Sequence, residues 1–124
     1  MRYKFLLLCI ILSSCNSSRM VETSLYFGQY KPGGGMVSAT EWENFKKDYV
    51  RKVFKEGSTV INVSGDWYDT AARKLITGPT FVVIYYYKNS PVVSKQIDSL
   101  RQWYKVLFRQ QSVLRVDKKV AASF

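Results

Sequence analysis

Residues Thr80-Phe81-Val82-Val83-Ile84-Tyr85-Tyr86-Tyr87 are eight consecutive β-branched or aromatic side chains. Such a run favours an extended chain over a helix. It is apolar at odd and even positions alike, so both faces of its pleat have to be covered, as in a central strand. The rest of the chain has to supply that cover. Thr59–Ser64 reads as a second strand, and Gly65–Thr70 as a turn or an extended hairpin tip leading towards the central one. Thr23–Gly28 reads as a first strand, broken by Lys31-Pro32-Gly33-Gly34-Gly35. Ser112–Val116 reads as the last, with Val120–Phe124 extending it or returning along the sheet.

Two segments carry the helical period instead. Ser38 precedes Glu41 by three residues, a capping box, and Trp42, Phe45, Tyr49 and Val53 follow with Val50 and Phe54 beside them. Gly57 ends that helix. Asn89-Ser90-Pro91 opens the second, whose buried stripe is expected to be Val93, Ile97, Leu100, Tyr104 and Leu107, flanked by Trp103 and Phe108. The order β-α-β-β-α-β in a chain of this length predicts an α+β fold, a ferredoxin-like sandwich with an antiparallel sheet and both helices on one face. The other face is then open to water, covered by a loop, or buried in a homodimer formed through the sheet.

The N-terminus has a different character. Arg2 and Lys4 precede the apolar run Phe5–Leu12, and small residues lead into Cys15. That is the layout of a secretory signal, too short to remain as a membrane span. Leu12-Ser13-Ser14-Cys15 resembles a bacterial lipobox. The resemblance implies cleavage before Cys15, lipidation of Cys15 and anchoring in the cell envelope, with Asn16 leaning towards the outer membrane. The division is therefore 1–14 signal peptide, 15–22 lipidated cysteine and tether, and 23–124 a single domain. Loss of Arg2 and Lys4 with the signal lowers the formal charge from +10 to +8. That balance fits a membrane reached through the anchor and anionic lipid or polysaccharide partners, or simple solubility beside an anionic surface. The chain has two cysteines and no histidine. Cys9 would leave with the signal and Cys15 would be lipidated, so no free thiol is expected. The missing histidine excludes Ser-His-Asp and Cys-His catalysis and the usual zinc sites, and neither metal nor cofactor is expected.

Leu25-Tyr26-Phe27-Gly28, Val37-Ser38 to Glu41-Trp42, Gly65-Asp66-Trp67 and Ser112-Val113-Leu114-Arg115-Val116-Asp117 with terminal Ser123-Phe124 resemble a bacterial domain of unknown function. Its members are small, often lipoprotein-like proteins. The likeness covers residues 23–124. Members often place Pro and Cys after the Asp; Lys119 and Ala121 stand here instead, so no role of that cysteine carries over. The resemblance implies the fold and an envelope location and brings no activity.

Five residues stand out as candidates for a ligand site or a structural polar site. Arg115 and Asp117 lie two apart on a strand and share a face, as a pocket anchor or as an ion pair holding the strand. Trp67, beside Gly65 and Asp66, is either a stacking lid or a hairpin tryptophan closing the core. Tyr85 and Tyr87 share a face that either binds a planar ligand or fills a core or dimer interface. Gly33–Gly35 lacks the Lys-Ser/Thr of a phosphate loop and reads as a flexible connector. The aromatic strand faintly resembles an RNA-recognition strand, but an exported lipoprotein meets little RNA, and no nucleic-acid partner is expected. The expected function is a non-enzymatic, lipid-anchored binding or accessory module of the envelope. The alternatives are a cofactor-free enzyme whose dimer pocket is lined by Tyr85, Tyr87, Arg115 and Asp117, an analogy of fold alone, and a binder of anionic envelope polymers.

Overall fold

The computed structural model describes residues 18–124; the signal segment and Cys15 lie outside the described residues. Four strands form one antiparallel sheet: β1 Ser18–Gly28, β2 Thr59–Asp69, β3 Lys74–Tyr87 and β4 Leu114–Ala122. Their order across the sheet is β2-β3-β1-β4. Helix α1 has three pieces, Ala39–Phe45, a π-turn Lys46–Val50 and a last turn Arg51–Val53. Helix α2 spans Pro91–Phe108. This is the expected ferredoxin-like α+β arrangement.

Register decides what each face carries. Leu25 pairs with Val83, Thr23 with Tyr85 and Val21 with Tyr87. These odd-numbered positions point to the helices, where Leu25, Phe27, Val83 and Tyr85 are fully buried. Trp42 lies flat on Phe81, ring centroids 4.0 Å apart and planes 5° from parallel. Phe27 packs edge-on against Phe45 and Tyr104 at 5.8 and 4.7 Å. Aromatic contacts of these kinds add to the burial of the rings themselves.

The helix ends follow the sequence closely. Ser38 Oγ accepts from the Glu41 N–H while Glu41 Oε2 accepts from the Ser38 N–H, a complete capping box. Lys31 Nζ adds an ion pair to Glu41 at 2.7 Å. Gly33, Gly34 and Gly35 all have positive φ, 87°, 110° and 84°, so the glycine run is required by this turn and is more than a flexible spacer. Ser90 caps α2, with Pro91 in its first turn.

Both expected helix stripes need correction. The buried residues of α1 are Trp42, Phe45 and Val50, followed by Phe54. The step from Phe45 to Val50 is five residues, which a regular α-helix would turn off the face. The π-turn inserts the extra residue. It brings Val50 inward and leaves Tyr49 half-buried, its ring 5.7 Å from that of Trp103. The Val50 carbonyl accepts the Tyr85 hydroxyl at 2.9 Å. In α2 the last buried residue is Phe108, a full i+4 step after Tyr104, and Leu107 faces solvent.

Strand lengths differ too. Ser18–Glu22, expected within a tether, pairs with Lys118–Ala122. β2 and β3 form an arm reaching past Gly28 to the Asp69↔Lys74 pair. Asp69 Oδ1 closes the tip by accepting from the Ala71 and Ala72 N–H groups, both at 2.9 Å.

Trp42→Ala removes the ring that α1 lays on Phe81. We expect it to lower unfolding free energy by about 3–5 kcal/mol, read from denaturant melts; a loss below about 1 kcal/mol would contradict this packing.

Candidate functional site

Arg115 and Asp117 do share a face, and it is the helix-covered one. Arg115 Nε donates to both carboxylate oxygens of Asp117, at 3.1 and 3.0 Å. Nη1 donates to the Ser94 carbonyl and to Asp98 Oδ1, and Nη2 to Ser94 Oγ. Four of the five guanidinium N–H groups are thus engaged within the protein. The Thr23 hydroxyl donates to Asp117, which leaves its lone pairs for the Tyr87 hydroxyl 2.9 Å away. The network ties β4 to α2, β1 and β3 at once. Desolvation opposes the charge on Arg115, but the hydrogen bonds to Asp117 and Asp98 outweigh it and strengthen its hold on the proton. Partial burial alone would raise the carboxyl of Asp98. Hydrogen bonds from Arg101 and Arg115 outweigh that and hold it below its ordinary range.

Tyr85 and Tyr87 also point to the helices and are buried there. Burial pushes the Tyr85 hydroxyl well up. These rings line the core, so a ligand-facing pocket built from Tyr85, Tyr87, Arg115 and Asp117 is not what the fold makes. Their odd numbering places them on the covered face, and only the register reveals which face that is.

Trp67 lies on the other side. In β2, Gly65 pairs with Gly78 and Trp67 with Ile76, on the face that carries no helix among the described residues. There the structure has a trough of about 360 Å³ bounded by Tyr26, Tyr30, Trp67 and Leu114, with Gly28, Gly65 and Thr80 among its lining. Part of its floor lacks side chains because Gly28 and Gly65 stand there. A methyl group on Gly78 would overlap the Tyr30 ring, and one on Gly65 would meet Thr80 Oγ1 at 3.0 Å. Tyr30 therefore rests on Gly78, its centroid 6.2 Å from that of Trp67 with the planes 47° apart. Gln110 Nε2 donates to the Tyr30 carbonyl at 2.7 Å and so fixes this wall from the end of α2.

The charged groups at the trough have partners already. Lys31 is bound to Glu41, Asp66 accepts from the Thr77 hydroxyl at 2.6 Å, and Asp69 caps the tip turn. Tyr26, Tyr30 and Trp67 give the trough its aromatic surface, with Thr80, Gln111 and Ser112 as polar lining. Sequence reasoning found Trp67 but missed Tyr30, Gly78 and Gln110. The spacing of Gly65 and Gly78 is a signal only once the two are known to face each other across a hairpin. Among the described residues no three His, Cys, Asp or Glu side chains converge as a metal site.

The fold and trough define a small α+β sandwich with a ligand-sized recess on its open face. The chain belongs to the DUF3574 family, proteins of unknown function, whose model matches residues 22–124. No curated protein matches it. Among solved structures it is similar to a phage SAM lyase in complex with S-methyl-5'-thioadenosine, with TM-score 0.68, 11% identity and 82% of each chain covered. It is also similar to the periplasmic divalent cation tolerance protein CutA from Archaeoglobus fulgidus, with TM-score 0.53, 10% identity, and 85% of this chain and 87% of that one covered. A third is the GlnK–ATP complex of B. subtilis, with TM-score 0.50, 14% identity and 83% of each chain covered. At these identities the likeness is one of fold.

The Arg115 network makes a stability prediction. Asp117 is half-exposed, so Asp117→Asn should cost about 0.5–1 kcal/mol. Arg115→Ala should cost more, about 1–3 kcal/mol, because it removes several charged hydrogen bonds at once. Asp98 has a depressed folded value, so its contribution is present above its ordinary 3.8 and is lost as pH falls through the lower folded one. Melting temperature should therefore drop on acidification below about pH 4, and less so in Asp98→Asn. An Asp117→Asn protein melting above wild type would overturn the structural role.

Proposed function

We propose that this protein is a lipid-anchored module of the bacterial cell envelope that binds a small planar ligand in the trough on the open face of its sheet. One observation carries the ligand reading. Gly28 and Gly65 leave part of the floor without side chains at the place where Tyr26, Tyr30 and Trp67 gather. A recess of about 360 Å³ lies within the size range of small-molecule sites. Its exposed aromatic surface favours stacking on a flat, weakly charged group. The phage SAM lyase and GlnK complexes hold molecules with an adenine ring, which supports this reading by analogy of fold; the case for this chain rests on its own residues.

The anchoring part rests on the signal-like N-terminus and the Leu12-Ser13-Ser14-Cys15 stretch. Two or more acyl chains hold a protein stably on a bilayer where one does not. No helix among the described residues is long and apolar enough to cross a membrane.

Two measurements test these readings. S-methyl-5'-thioadenosine and adenosine serve as planar probes. At saturating concentration either should raise the melting temperature of wild type, and Trp67→Ala should abolish the rise. No rise with either probe, or an equal one in Trp67→Ala, would overturn the trough reading.

For the anchor, Cys15→Ser should remove the protein from the membrane fraction, and labelled fatty acid should appear on wild type alone. Unchanged partitioning of the variant, with no label on wild type, would overturn lipidation.

A further inference from the structure

We propose that a second copy of this chain packs against the helix-free face of the sheet and roofs the trough. No helix among the described residues covers this face, and from it Tyr26, Ile61, Val63, Tyr86 and Leu114 project, each at least 37% exposed, around the buried Met20 and Val82. A contiguous patch of this kind marks an interaction surface.

Charge selects the occupant. The chain as a whole has a formal charge of +10. On the helix-free positions of the four strands the charged residues are Glu22, Asp69, Lys74 and Lys118, two acids and two bases. Lys118 and Glu22 are bridged at 3.4 Å, and Asp69 pairs with Lys74 across the ladder. This face therefore carries no net charge, and the excess of cations lies elsewhere. Two strongly basic chains repel when they approach through their cationic surfaces. A neutral, apolar face lets like copies meet with little Coulombic cost and the most apolar burial. An anionic polymer or bilayer would be drawn instead to the cationic remainder of the surface.

A twofold contact needs only this one patch, used by both copies. The trough opens on the same face, so the partner would close it over the floor. That closure rests on the ligand reading above; the pairing does not.

The test uses the full chain in intact cells. Two differently tagged copies are co-expressed, each with photoreactive p-benzoylphenylalanine at Ile61 or at Leu114. Val106, exposed on the outer side of α2, is the control position. Illumination should give a covalent product bearing both tags at Ile61 and at Leu114, and none at Val106. Val63→Lys in both copies should abolish the Leu114 product while the melting temperature stays that of a folded protein. Crosslinks from the sheet face to another protein or to lipid, no crosslink there, or an equal product at Val106 would each overturn the proposal. The crosslink is read without ligand, so a trough that fails to bind either probe leaves this result standing.

Discussion

Phe27 is the side chain on which both helices close. Trp42 and Phe45 approach it from α1, both at 5.8 Å, and Tyr104 from α2 at 4.7 Å. It sits on β1, the strand bonded to β3 on one side and β4 on the other. One fully buried ring thus fixes the height of α1, the height of α2 and the strand between them. The Tyr104 hydroxyl donates to the Gly28 carbonyl at 2.8 Å. The end of β1 is therefore held from the helix side while its next residues run out to build the trough. Packing on the covered face positions the recess on the open one.

The two faces divide the chemistry between them. Polar groups under the helices are paired in networks that run from buried Thr23 and Tyr87 out to half-exposed Asp117. Arg115, Asp117, Thr23 and Tyr87 belong to one such network. Among the described residues no buried side-chain nitrogen or oxygen lacks a partner. The open face works by the opposite means. It carries few charges, and at the trough Gly28 and Gly65 leave part of the floor without side chains. Exposed Ile61, Val63 and Leu114 lie on the same face as Gly28 and Gly65.

What was legible in the sequence is what local chemistry alone decides. Ser38 and Glu41 form their box because three residues of helix bring them together, whatever the rest of the fold does. Thr80–Tyr87 is a strand on composition alone, and the order of elements limits the topology to few choices. What was not legible depends on contacts distant in sequence. Tyr49 and Val50 are both apolar, and only the π-turn decides which is buried. Leu107 and Phe108 are neighbours of similar hydropathy, and the larger ring takes the core position one full step from Tyr104. The strand period alone puts Tyr85 and Tyr87 on one face, but that this face is the core follows from the register of β1 against β3. Ser18–Glu22 belongs to the sheet through its pairing with Lys118–Ala122 at the far end of the chain, a contact that no local pattern reveals.

The trough is the clearest case of information absent from any single segment. Tyr30 lies outside every regular strand, and the bridge Tyr30↔Met36 is its only ladder contact among the described residues. Gly78 lies in the arm of β3, Trp67 in the arm of β2 and Gln110 beyond the end of α2. Each alone has a bland explanation: a turn residue, a strand glycine, a hairpin tryptophan, a helix terminus. Together they make one object, because Gly78 gives Tyr30 a place to lie, Gln110 holds its backbone there, and Trp67 faces it. A substitution at Gly78 would thus act on a ring 48 positions away in the chain. That dependence of an aromatic wall on the absence of a side chain is the physical signature of a recess built by the fold.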